Sequence, residues 1–310
     1  MNARQCPNCG AAVDLPPEVV ADLCAFCSTP LVDVGADVEP ADRVAPFRLT
    51  KQAAADRLGD VLQAQWLAPE AVRTAGTPER LRGVLVPFWS YEAVARSEWS
   101  ARIGVWWYRT EVYTTTEMVD GKPKTVTRTR RVRETEWFPS SGTHVATYTD
   151  HLVSGSRGLS EAEANALEPF DLGPARGFAA ELLAGWTAER ATISHEEAVE
   201  VASAELGERQ TGAIGYWLPG DEFGALRVRT RAEVRRAELV LLPVWIATYA
   251  HQGEIFRLLV NGQTGEVVGK APRSTMKVVG LVLAVIGVLL ALASIPMLLE
   301  SLSMVLEGGG

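Results

Sequence analysis

Two Cys-x-x-Cys pairs near one end, an uncharged apolar run near the other, and period-two strand patterns between helix caps together predict an α+β architecture. The expected parts are an N-terminal metal-bound ribbon (1–36), a linker (37–48), a β-rich α+β body (49–272) with one long hairpin (96–137), a single C-terminal transmembrane helix (278–299) and a short tail (300–310). A chain of 310 residues that is 47% hydrophobic and 22% charged can bury a real core, which excludes a disordered or collagen-like protein. Its formal net charge of −8 argues against a dedicated DNA binder, which needs basic surface to release counterions from phosphate, unless charge is locally segregated.

All four cysteines lie in the first 27 residues, as Cys6-Pro7-Asn8-Cys9 and Cys24-Ala25-Phe26-Cys27. A two-residue gap lets both thiolates of a pair reach one ion from a tight turn, and two such knuckles complete a tetrahedral tetrathiolate site for zinc. The alternative, two disulfides in a secreted module, lacks an apolar leader before Cys6. Reduced cysteines point to the cytosol. About 35 residues are too few for an apolar core of their own, so the metal is expected to supply folding energy. Residues 33–47 are acidic and proline-punctuated, which reads as a linker.

In the body, Thr50 caps a helix over 50–65, with Ala54, Leu58, Val61 and Leu62 near one stripe, and Thr77-Pro78-Glu79 starts a short second helix. Residues 83–91 read as a strand in which Pro87 implies an edge or a bulge. From Arg96 to Trp137 the chain alternates as a β-ribbon turning at Asp120-Gly121. Lys122, Lys124, Arg128, Arg130, Arg131 and Arg133 follow that turn with no acid before Glu134, suggesting a basic finger for anionic lipid or an acidic partner, or a ribbon kept soluble by charge. A strand ends near Val153. Ser160-x-x-Glu163 and Ser194-x-x-Glu197 are capping boxes, the second opening a helix to about Leu206 with Ala198, Val201 and Ala202 inward. Strands are expected at 227–231 and 239–249, then a hairpin of 255–260 and 266–269 around Asn261-Gly262, both of which accept positive φ. Val86-Pro-Phe-Trp-Ser-Tyr91 is echoed by Leu242-Pro-Val-Trp-Ile246, which raises the possibility of two related units.

Residues 278–299, VVGLVLAVIGVLLALASIPMLL, carry no charge and as a helix would reach about 33 Å, enough to cross a hydrocarbon core. Lys270, Arg273 and Lys277 precede the run and only Glu300 and Glu307 follow it, so the positive-inside rule puts the body in the cytoplasm, at the inner face of the cell membrane. His144, His151, His195 and His251 show no metal-ligand spacing. Neither Ser141-Gly142 nor Ser154-Gly155 has the pattern of a nucleophile elbow, and no Gly-x4-Gly-Lys loop occurs. No catalytic residues are assigned, and the expectation is not an enzyme.

Taken in order, Cys6-Pro-x-Cys-Gly10 with Cys24-x-x-Cys27, Val86-Pro-Phe-Trp89, Ser141-Gly-Thr-His144, Leu152-Val-x-x-Ser156, Ala184-Gly-Trp-x-Ala-Glu189 and Asn261-Gly-Gln-Thr-Gly265 before one apolar span resemble a bacterial family of membrane-anchored zinc-ribbon proteins, also labelled TFIIB-type or primosomal-helicase-like. Ser28 departs from the glycine common after the second knuckle. The resemblance implies an adaptor that recruits SPFH or PspA-like envelope-stress partners to the membrane; the helicase label does not fit a chain without a nucleotide-binding loop. A nucleic-acid-binding ribbon is the first alternative. Residues 1–40 hold Arg4 against Asp14, Glu18, Asp22, Asp33, Asp37 and Glu39, which would repel phosphate, so no nucleic acid is expected. A membrane enzyme of unknown chemistry is the second, and no small-molecule substrate is expected.

Overall fold

Strand length departs most from the pattern read in the sequence. A computed structural model describes residues 3–6, 8–14, 19–25, 27, 29–32, 41–64, 77–119, 121–251, 254–269, 283–289 and 292. In chain order the early elements are β1 (Ala3–Gln5), β2 (Ala12–Asp14), β3 (Val19–Leu23), β4 (Pro30–Val32), β5 (Arg43–Val44) and α1 (Lys51–Ala64). Then come β6 (Leu81–Val119), β7 (Lys122–Ser154), α2 (Glu161–Leu167), β8 (Arg176–Gly177) and β9 (Thr187–Glu189). The last are α3 (His195–Trp217), β10 (Glu222–His251), β11 (Glu254–Asn261) and β12 (Val267–Gly269). The chain forms a mixed helix-and-sheet fold of two units: residues 1–86, 158–190 and 241–310 make the first, residues 87–157 and 191–240 the second.

In the first unit the strand order is β12-β11-β10-β6-β9-β3-β4, and β5 pairs with β10 and β8. Strand β9 runs parallel to β6 through Val84↔Thr187 and Leu85↔Ala188. Thr50 caps α1 as expected, its Oγ1 accepting the Ala53 N–H at 3.2 Å. Ala54, Ala55, Leu58 and Leu62 are buried against Trp245, Tyr249, Leu258 and Val260, each leucine contributing about 2 kcal/mol. Val61, expected on that stripe, is exposed. The second expected helix is a single 3-10 turn, Pro78–Arg80. Residues 41–48, assigned to the linker, belong to the core: Val44 and Ala45 are buried, and Phe47 stacks on Trp186 with centroids 4.0 Å apart. Residues 33–40 and 65–76 lie outside the described residues.

The second unit is built on the hairpin of β6 and β7, 39 and 33 residues long, in which Val119 pairs with Lys122 and Gly121 supplies φ +75° at the turn. The strand expected at 83–91 and the ribbon expected from 96 are thus one strand, and the bulge lies between Tyr91 and Ala93 rather than at Pro87. Residues 227–231 and 239–249 likewise belong to one strand, β10. Both capping boxes form, but α3 continues past Leu206 to Trp217 because Leu206, Gln210 and Ile214 extend its buried stripe. Val201 is half-buried. Fully buried Gln210 is satisfied by the sheet: Ser97 Oγ and His144 Nδ1 meet its Oε1, and its Nε2 donates to the Ala95 carbonyl at 3.4 Å.

The sequence echo marks one local design used in each unit. In the second unit the Pro87 carbonyl accepts the Gly155 N–H at 2.8 Å, the Gly155 carbonyl accepts the Thr192 and Ile193 N–H groups, and Trp89 Nε1 donates to the Ile193 carbonyl at 3.0 Å, one residue before the cap of α3. In the first unit the Pro243 carbonyl accepts the Gly262 N–H at 2.8 Å, the Gly262 carbonyl accepts the Arg48 and Leu49 N–H groups, and Trp245 Nε1 donates to the Leu49 carbonyl at 3.3 Å, one residue before the cap of α1. Close approach explains the glycine: a Cβ at 262 would sit 2.7 Å from Phe47 and 2.8 Å from the Pro243 oxygen. Among Asn261, Gly262 and Gly265 only Gly265 takes positive φ, at +82°, correcting the turn expected at Asn-Gly. Asn261 is instead buried, donating to the Leu167 and Pro169 carbonyls and accepting from Gln263 and Thr264.

Residues 283–289 and 292 are helical and exposed; Leu283, Val285, Ile286, Val288, Leu289 and Leu292 leave between 47% and 63% of their surface open. Among the described residues no helix is long and apolar enough to cross a membrane. The rest of the predicted span 278–299, the basic flank at 270–277 and the tail 300–310 lie outside the described residues.

Candidate metal centre

Two short hairpins carry the cysteines. Strands β1 and β2 pair through Arg4↔Val13, and β3 and β4 through Asp22↔Leu31, so Cys6 and Cys24 each follow the first strand of a hairpin. The backbone closes each knuckle: the Cys6 N–H donates to the Ala11 carbonyl and the Gly10 N–H to the Cys6 carbonyl, while the Cys24 N–H donates to the Thr29 carbonyl. Gly10 sits at φ +72°, a turn conformation that a side chain would strain.

This folding brings all four sulfur atoms within 4.8 Å of one another, with Cys6 and Cys27 at 3.5 Å and Cys9 and Cys24 at 3.8 Å. A zinc ion with four thiolates at about 2.3 Å needs sulfur separations of about 3.8 Å, so the donor set fits the ion. Cys6, Cys9, Cys24 and Cys27 would hold it, and bound zinc would fix the two knuckles against each other. The thiols are electrostatically unequal. Thr29, through its hydroxyl and backbone, pulls the Cys27 thiol down to about 6. At Cys9 the Ala11 N–H favours the thiolate, but the crowd of Cys27, Cys6 and Cys24 sulfurs with desolvation pushes the thiol up to about 12. A cation bound there would neutralise the thiolates that hold it.

The second hairpin is tied into its unit. Strand β3 pairs with β9 through Val19↔Glu189 and Ala21↔Ala188, and Thr187 Oγ1 donates to Asp22 Oδ1 at 3.0 Å. No residue pattern signals this pairing, because β9 is only three residues long and lies 165 residues beyond Asp22.

The six cations of the long hairpin do not form one patch. Opposite residues of an antiparallel rung share a face, so the register separates them. Lys122, Lys124, Arg128 and Arg130 share a face with Glu111, Glu117 and Glu134; there Arg128 bridges Glu117, Arg130 bridges Glu111 at 2.7 Å, and Arg109 bridges Glu134. Arg130 holds the Glu111 carboxyl below the usual range. Arg131 and Arg133 lie on the other face, over the rings of Tyr108 (4.7 Å) and Trp106 (4.1 Å).

Buried His151 has Nε2 3.2 Å from Glu205 of α3, a partner that spacing did not reveal. His195 is half-buried beside Trp89 and Tyr91.

No family model matches the chain, and no solved structure does. Over 239 residues the chain is 26% identical to the uncharacterized protein YdjG of Bacillus subtilis strain 168. That similarity covers 76% of this chain but spans only 65% of the length of YdjG.

Proposed function

We propose that this protein is a membrane-tethered zinc-ribbon adaptor that gathers cytoplasmic proteins at the inner face of the membrane, with SPFH or PspA-like proteins as the partners its family resemblance implies. The convergence of four cysteine sulfurs on knuckles carried by paired hairpins supports the reading most strongly. Zinc there would hold the two knuckles rigid, and the acidic balance of residues 1–40 suits protein rather than phosphate. The apolar helical residues 283–289 support a tether: a buried core helix would hide these side chains, and they are exposed.

Affinity capture of the detergent-solubilised protein from its own cells, wild type beside Cys9→Ser/Cys27→Ser, tests the reading. Specific proteins are expected with the wild type alone, while both forms remain in the membrane fraction. Capture that survives loss of zinc, nucleic acid retained at moderate salt, or no partner at all would overturn it.

A further inference from the structure

The long hairpin has two chemically different faces beyond Trp106. One pairs Arg109, Arg128 and Arg130 with its three carboxylates, Glu134, Glu117 and Glu111, and also carries Lys122 and Lys124. The other carries Trp106, Tyr108, Val112 and Met118 from β6 and Arg131 and Arg133 from β7, with threonines between and no carboxylate on either strand. It is open, with Tyr108 51%, Val112 64% and Met118 69% exposed, and neither Arg131 nor Arg133 has a carboxylate within ion-pair distance among the described residues.

We propose that this face of the hairpin lies on an anionic phospholipid surface. Charge complementarity carries the assignment: the two arginines are unopposed, and stacking on Tyr108 and Trp106 leaves their N–H edges free for lipid phosphate. Tryptophan and tyrosine suit the headgroup level, while Val112 and Met118 reach toward the tip as apolar contacts. From Trp106 to Val119 the strand runs about 45 Å, a footprint covering many headgroups. Beyond Trp106 the hairpin's own acids lie only on the face turned away, and Glu222 of β10 meets this face at its base, where Thr135 donates to it. This inference deepens the membrane reading and rests on it for the presence of a bilayer, but uses none of the anchor's residues.

The test uses the full chain with vesicles of DOPC alone and of DOPC:DOPG 7:3, read by flotation and by hydroxyl-radical footprinting. Flotation with DOPC reports the anchor. Protection of Tyr108 and Met118 by DOPG vesicles, with Trp107 and Tyr113 on the opposite face unchanged, is the expected result. Arg131→Gln/Arg133→Gln should raise the acidic lipid needed for half-protection by about tenfold or more, whereas Arg128→Gln/Arg130→Gln, with the same change in net charge, should raise it less than threefold. Equal shifts in the two variants, protection of both faces, or protection on DOPC alone would overturn the assignment. So would protection by oligo-dT and not by DOPG, which would give the face to nucleic acid, or protection that depends only on protein concentration, which would give it to a second copy. Flotation with DOPC without protection on DOPG sinks this proposal and leaves the anchor standing; protection on DOPG without flotation on DOPC does the reverse.

Discussion

Glu163 links a helix cap to the packing of the first unit. Its Oε2 accepts from Ser160 Oγ at 2.7 Å, from the Ser160 N–H at 3.1 Å and from Arg257 Nη2 at 2.8 Å. Partial burial opposes ionisation, but Ser160 and Arg257 outweigh it and hold the carboxyl below the usual range. A carboxyl depressed in the folded state stabilises above its unfolded value of about 4.3, and that contribution is lost as pH falls through the folded value. Glu163→Gln keeps a capping acceptor and removes the charge. Urea melts should show it about 1 kcal/mol less stable at pH 7 and nearer to wild type at pH 3; an unchanged gap would contradict the linkage. Ser160-x-x-Glu163 was legible because a capping box is local. Arg257, 94 residues away, was not.

At the scale of elements, the Pro-x-Trp strands make a matched pair. Each tryptophan ties its strand to the residue before a helix cap, so Trp89→Phe and Trp245→Phe should each cost about 1 kcal/mol through the lost indole hydrogen bond. Equilibrium denaturation checks this; a cost in one variant and none in the other would show that the two closures are not equivalent. In the sequence Pro87 reads as an edge or a bulge, and Pro243 carries no such reading. Proline lacks a donor and suggests an interruption, yet Pro87 and Pro243 stand at rungs where the neighbouring glycine uses only their carbonyl. Helix starts were legible from Thr50, Ser160 and Ser194, whereas the end of α3 was not, since Gln210 looks solvent-facing until Ser97 and His144 meet it.

Across the molecule, two units repeat one closure, and the cysteine hairpins belong to the first of them. Cys-x-x-Cys spacing made the cysteine cluster readable at once, because two such pairs can turn all four sulfurs toward one point, where they lie within 4.8 Å of one another. What spacing could not show was that β3 joins β9, so that the second cysteine hairpin is part of the large sheet while β1 and β2 form a two-stranded sheet of their own. The two-faced hairpin was hidden for a related reason: six cations in a row look uniform until the register sends Arg131 and Arg133 one way and their neighbours the other. The proposed adaptor function depends on one metal ion held by Cys6, Cys9, Cys24 and Cys27. Zinc and free thiols should therefore be counted on the purified full chain under native conditions, wild type beside Cys9→Ser/Cys27→Ser. One zinc per wild-type chain with the thiols masked until the metal is chelated, and none in the variant, is the expected result. A wild-type chain that holds no zinc and has four freely reactive thiols would contradict it.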